Sequence, residues 1–276
     1  MRTYPHAKIN LGLNITERRP DGYHNLETVF MPVPLCDRLD ISERQSECDQ
    51  PKSCNLTITG GAIEGDTQDN LVVKAYRLMA AQYDLPSLDV VLDKQIPTQA
   101  GLGGGSSDAT FMLRAINDYA CLGLTQRQLA DIAVKLGADC PCFTIDGPCY
   151  AEGIGEKMTP IQLDLSGWWI AIVKPDIAVS TREAFSKVRP RRPEENCRET
   201  VALPVDHWRD RLTNDFEESV FALYPEIGRM KERLYSLGAT FALMSGSGSS
   251  LYALYRDEPQ RLDEEFGGCF VWHDRL

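Results

Sequence analysis

At 276 residues, with 43% hydrophobic and 25% charged side chains, the chain has ordinary globular composition, which argues against extensive disorder and predicts enough core for two domains. A net charge of −11 disfavours nucleic acid and anionic membranes as partners, because both would be repelled at long range; it points to a small ligand. No apolar run reaches the length of a bilayer span and no charged start leads into a signal segment, so a cytoplasmic location is expected.

The segment from Ala7 to Ile15 alternates polar and apolar residues, which predicts a half-buried strand with Lys8, Asn10 and Gly12 on one face. Arg19-Pro20-Asp21-Gly22-Tyr23-His24 is a turn by its Pro-Asp-Gly content, and Leu26 to Val33 resumes an extended pattern, so a long hairpin is expected. Polar residues from Ser42 to Ser53 predict an exposed connection, Asn55 to Thr59 a strand, and Asp69-Asn70 the cap of a helix through Val72, Ala75, Tyr76 and Met79. Strand-like Leu88 to Leu92 then leads into the most informative stretch, Pro97-Thr98-Gln99-Ala100-Gly101-Leu102-Gly103-Gly104-Gly105-Ser106-Ser107-Asp108, followed by helical spacing from Ala109 to Ile116.

Four glycines within residues 101–105 let backbone N–H groups crowd round an anion, and two serines add hydroxyls where an apolar helix begins. The run reads as a phosphate cradle, with a flexible linker as the alternative. It lacks the G-K-[ST] ending of a P-loop and the spacing of a dinucleotide fingerprint, so any lysine that the chemistry needs must come from elsewhere in the chain.

Beyond it, Thr125 predicts a helix cap and Gly137 a helix end, with Asp139 just past that end. Strands are expected at Cys149 to Ala151 and Trp169 to Val173, with a boundary between domains 1–155 and 156–276. Arg189 to Glu195 reads as a solvated loop, and Phe216 to Tyr224 and Ile227 to Leu237 precede a strand-like end holding a second small-residue loop, Met244 to Ser250. Nine cysteines at positions 36, 48, 54, 121, 140, 142, 149, 197 and 269 have no framework spacing and read mostly as small buried hydrophobes. Cys140-Pro141-Cys142 has no second pair to answer it, which disfavours metal or redox chemistry there, and His207 and His273 read as surface or core residues.

Taken in order, His6-Ala7-Lys8-Ile9-Asn10-Leu11, the glycine run with Gly137-Ala138-Asp139, and Met244 to Ser250 resemble the GHMP kinases over nearly the entire chain. His6 stands where that family usually has proline, Asp108 where a small or amide residue is commoner, and Cys140 and Cys142 where apolar residues are usual. Arg19 to His24 matches an R-x-D-G-Y-H segment and Gly101 to Ser107 a G-L-G-G-G-S-S segment, both of the branch that phosphorylates a cytidine-diphosphate sugar alcohol in the non-mevalonate route to isoprenoids.

The resemblance implies an α/β (α+β) two-domain fold with its active site in the interdomain cleft, ATP as co-substrate with Mg²⁺, and a monomer or weak homodimer. It implies that Asp139 accepts the substrate hydroxyl proton while Lys8 pairs with it and stabilises developing charge. Alone, Asp139 could equally be a turn residue and Lys8 a snorkelling strand lysine. Nucleotide contacts are implied for Asn70, Lys94, Pro97, Gly101, Leu102, Gly103, Gly104, Gly105, Ser106 and Ser107, with Ser106 or Ser107 helping to hold the metal.

Tyr23 and Phe185 are implied to sandwich a cytosine ring, His24 to bond its edge, and Asn10 and Thr181 to contact the sugar-alcohol or diphosphate region. The late loop, with Ser247, either shapes the site or is only a tight connection between strand and helix. A homoserine- or mevalonate-type kinase of the same family is the alternative, and a nucleotide-binding regulatory protein without catalysis a further one.

Overall fold

The computed structural model describes residues 1–45, 52–61 and 65–276, so Cys48 and the middle of the expected 42–53 connection lie outside the described residues. Two compact units interleave along the chain: one comprises Met1–Ala7, Leu35–Thr98 and Gly103–Asp146, the other Lys8–Pro34, Gln99–Leu102 and Gly147–Leu276. The expected partition drew a single boundary after residue 155; here the chain changes unit five times.

The first unit carries a mixed sheet ordered Arg2–Thr3, Arg38–Glu43, Leu88–Lys94, Cys54–Gly60, in which only the last pair is parallel. Leu88, Val90 and Leu92 alternate inward, as a half-buried strand requires, and join Leu39, Ile41 and Leu56 against Val72, Tyr76, Met79, Met112, Leu113 and Ile116 from the helices. Asn70 starts the Leu71–Ala80 helix by accepting the Val72 N–H at 2.9 Å, and Thr125 with Gln128 forms a full capping box on Gln126–Ala133. The helix expected from Ala109 begins earlier, at Gly104, inside the glycine run, and extends to Tyr119. Cys140-Pro141-Cys142 is buried in a 3₁₀ turn, Cys140–Thr144.

The second unit holds nearly all of a sheet ordered His6–Arg18, His24–Cys36, Cys149–Gly153, Lys157–Pro160 and an all-antiparallel one ordered Phe241–Met244, Leu251–Tyr255, Trp169–Lys174, Phe270–Arg275. The expected hairpin turn closes through Arg19 N–H on Tyr23 carbonyl at 2.8 Å, with Gly22 at φ +88°. Lys157–Pro160 pairs antiparallel with Cys149–Gly153, so a strand runs where sequence suggested a boundary region; four polar-leaning residues give little strand signal alone. The helices Phe216–Leu223 and Pro225–Ser236 bury Phe216, Val220, Ile227 and Leu234 against Ala242, Met244, Leu251 and Ala253. The Ser245–Ser250 loop therefore connects two antiparallel strands, not a strand and a helix.

Candidate active site

Close neighbours demand Gly101 and Gly104 of the central run, and backbone conformation demands Gly103. Gly101 has φ +73°, and a Cβ there would stand 2.0 Å from the Ser245 carbonyl oxygen. Gly103, at φ +71°, is the N-cap of the Gly104–Tyr119 helix, and among the described residues no side chain caps that end, which is a positive helix terminus. A Cβ on Gly104 would press to 2.9 Å from Ile96 Cγ2. Among the described residues, the buried Ser107 Oγ has no hydrogen-bond partner. An orphaned hydroxyl in this first turn suits a bound oxyanion or its metal, and Ser106 beside it is half-exposed.

Lys8 is 3% exposed. Its ammonium donates to Asn10 Oδ1 at 2.7 Å and to the Gly101 carbonyl at 2.9 Å, and it lies 5.2 Å from the Phe30 ring centre. Its backbone N–H meets the Leu102 carbonyl at 3.0 Å, so the first strand and the start of the glycine run are tied twice. Asn10, 2% exposed, spends its amide on Lys8 and on Thr28 Oγ1, the latter at 2.9 Å. Asn214 Nδ2 bridges the Met244 and Gly246 carbonyls at 2.8 Å each, Glu217 accepts the Met244 N–H, and Ser245 Oγ donates to the Gly101 carbonyl at 2.9 Å; the late loop is thereby fixed against the run. Asn214, Glu217 and Thr28 carried no motif, and only knowledge of strand partners could have singled them out.

In the other unit Lys94 is buried, not the exposed strand-end charge that its position also allowed. Its ammonium donates to Asp37 and to Asp108 Oδ2, the latter at 2.8 Å, while Asp37 Oδ1 also accepts the Gln95 and Ile96 N–H groups. Burial works against the charge on Lys94, and the two carboxylates more than offset it, so its pKa is raised. One ammonium cannot neutralise two buried carboxylates. Desolvation pushes Asp108 up to about 7, and its Oδ1 has no partner among the described residues. Asn70 engages its Oδ1 as a helix cap, Pro97 is half-buried after the Leu88–Lys94 strand, and half-buried Asp139 caps the Cys140–Thr144 turn through its carbonyl, 3.2 Å from the Cys142 N–H.

The aromatic residues sort differently from expectation. His24 itself stacks on Phe185, ring centres 4.8 Å apart at 26°, and Phe216 supports Phe185 edge-on at 4.8 Å, while Tyr23 is 63% exposed. Desolvation, then the nearby Arg18 charge, lowers the His24 pKa, which keeps the ring neutral near pH 7. Thr181 opens a short helix whose capping box is Ser180 with Glu183, and it lines a cavity of about 380 Å³ with Gly101, Val179, Ser247 and Gly248. That cavity joins the glycine run to the late loop, with Thr181 as an exposed hydroxyl at its wall.

Residues 70–147 match the family described as GHMP kinases N terminal domain, and residues 202–266 match GHMP kinases C terminal. The chain belongs to the GHMP kinase family and is a phosphotransferase of that class. Within the family it is 48% identical over 276 residues to a protein of Bacteroides fragilis and 49% identical over 277 residues to one of Bacteroides thetaiotaomicron, each match covering 100% of both chains. Both are named 4-diphosphocytidyl-2-C-methyl-D-erythritol kinase. A crystal structure of 4-(cytidine 5'-diphospho)-2C-methyl-D-erythritol kinase superposes with a TM-score of 0.79 at 32% identity, covering 99% of this chain and 98% of that one. Mevalonate kinase of Methanococcus jannaschii shares the fold, with a TM-score of 0.72 at 14% identity over 100% of this chain and 98% of its own.

Proposed function

We propose that the chain transfers the γ-phosphoryl group of ATP to the 2-hydroxyl of 4-diphosphocytidyl-2-C-methyl-D-erythritol, giving the 2-phosphate and ADP, in the non-mevalonate pathway to isopentenyl diphosphate. The observation that carries this reading is full-length identity of 48–49% to relatives that bear that enzyme's name. The Asp139 carboxylate accepts the hydroxyl proton as the oxygen attacks phosphorus, and the Lys8 ammonium stabilises the charge that develops. Gly101 to Ser107 supply backbone donors to the phosphates, with Asn70 and Pro97 toward the purine end. Lys94, its ammonium engaged by Asp37 and Asp108, serves the cradle by fixing the first turn of the helix.

Ser106 or Ser107 would help to hold Mg²⁺ beside the nucleotide phosphates, and the ion would supply charge neutralisation there. Tyr23 and the Phe185–His24 pair recognise the cytosine, and Asn10 and Thr181 border the sugar-alcohol and diphosphate region. The protein works in the cytoplasm as a monomer or weak homodimer; among the described residues no helix is long and apolar enough to cross a membrane.

A coupled ADP-release assay tests the assignment. Turnover is expected with the cytidylyl substrate and not with homoserine or mevalonate; turnover with only one of the latter two would exclude the assigned substrate.

A further inference from the structure

Thr28 lies on the His24–Cys36 strand, beside the first-strand residues Asn10 and Gly12, and is fully buried. Its hydroxyl accepts from Asn10 Nδ2 at 2.9 Å and donates to the Gly12 carbonyl at 2.5 Å. We propose that Thr28 is a positioning residue for phosphoryl transfer, acting through Asn10 to hold the Lys8 ammonium; the proposal rests on Lys8 being the cation that stabilises the transferred group.

The direction of every bond in this chain is dictated by chemistry. An ammonium has three donors and no acceptor, so the Asn10 atom 2.7 Å from Lys8 must be the amide oxygen. The amide nitrogen then faces Thr28 and can only donate, so the Thr28 oxygen must accept. A hydroxyl that accepts there still has one proton to place, and the Gly12 carbonyl takes it. Gly12 has φ +75°, and a Cβ on it would stand 2.6 Å from Cys197 Sγ; this position of the first strand therefore requires glycine. The Tyr252 hydroxyl, also fully buried, donates to the Asn10 carbonyl at 2.9 Å and secures the backbone under the relay.

Nothing in this buried chain can rotate without leaving a polar atom unpaired, and such an atom is costly where water cannot reach. Removing the Thr28 hydroxyl frees the Asn10 amide to turn, and an amide NH₂ presented to Lys8 would repel the ammonium instead of holding it. The loss is one of placement, so it belongs in kcat and not in substrate affinity.

Thr28→Val keeps the branched shape and deletes the hydroxyl. With ATP and the cytidylyl substrate it is expected to lower kcat on the order of 10- to 100-fold, with both KM values within about threefold of the parent. Thr28→Ser, which restores the hydroxyl, should recover most of that loss. Thr28→Ala serves as the hydroxyl-free variant should valine prevent folding, which thermal melting would reveal. A kcat near the parental value in the folded hydroxyl-free variant, or Thr28→Ser as impaired as Thr28→Val, overturns the relay. Lys8→Met run in parallel separates the two layers: if it retains turnover, the assignment of Lys8 itself is at fault, whereas an inactive Lys8→Met beside a fully active Thr28→Val condemns only the relay.

Discussion

Among the described residues each compact unit buries one lysine, and the two have different neighbours within their own units. Lys94 meets two carboxylates in its own unit, Asp37 and Asp108, which together carry more charge than it does. Within its own unit Lys8 donates to two carbonyl-type oxygens and lies over a ring face. A cation surrounded by fixed carboxylates is spent on structure, because its field is extinguished close by. The carboxylate pair gives Lys94 a structural role, whereas the role proposed for Lys8 is catalytic.

The sharpest way to break this contrast is to remove each ammonium in turn. Lys94→Met leaves two carboxylates buried without their cation and is expected to cost about 3–5 kcal/mol of unfolding free energy, read from urea denaturation. Lys8→Met should cost less stability and lower kcat on the order of 10²- to 10³-fold, the scale of losing one preorganised transition-state donor. If the stability loss falls chiefly on Lys8→Met, the assignment of roles is reversed.

The same contrast explains what could be read from sequence. Lys8 and Asn10 stand two apart on an alternating strand, so their shared face was legible, as were the Asn70 cap, the capping box at Thr125 and the glycine run. Each of these signals is local. The partners of Lys94 lie 57 and 14 residues away, and Thr28 lies 18 residues from Asn10, so these groupings exist only once strands pair. Asp108 stood out by type alone, as a charge where the family resemblance suggests a small or amide residue, and its meaning emerged only beside Lys94. Serine and glycine permit a turn without specifying the element after it, so sequence leaves open what the late loop connects; the pairing of Phe241–Met244 with Leu251–Tyr255 decides it.

Aromatic recognition offers a weaker test of the unit that contains Lys8. Tyr23 is exposed, whereas His24 is already packed on Phe185, so Tyr23 contributes little to folding and its removal should act on binding. Tyr23→Ala is expected to weaken the cytidylyl substrate by about 1–3 kcal/mol, visible as a raised KM for that substrate with the KM for ATP unchanged. An equal rise in both constants would detach Tyr23 from cytosine.

The remaining test is read across pH and concerns the surplus charge around Lys94. Desolvation raises Asp108 to about 7 in the folded chain, against an ordinary aspartate value of about 3.9 when unfolded. Between roughly pH 4 and pH 7 the folded state therefore holds a proton that the unfolded state has released, and stability falls as pH rises through that window. Below it both states are protonated and the penalty vanishes. Asp108→Asn removes the titrating group while Asp37 remains to pair with Lys94, so the variant should lack this component of the pH dependence. Plotted as variant minus parent, unfolding free energy should climb from pH 4 to pH 7 and then level off. A flat difference would mean that Asp108 stays ionised throughout, with Lys94 neutralising it and Asp37 left as the surplus charge.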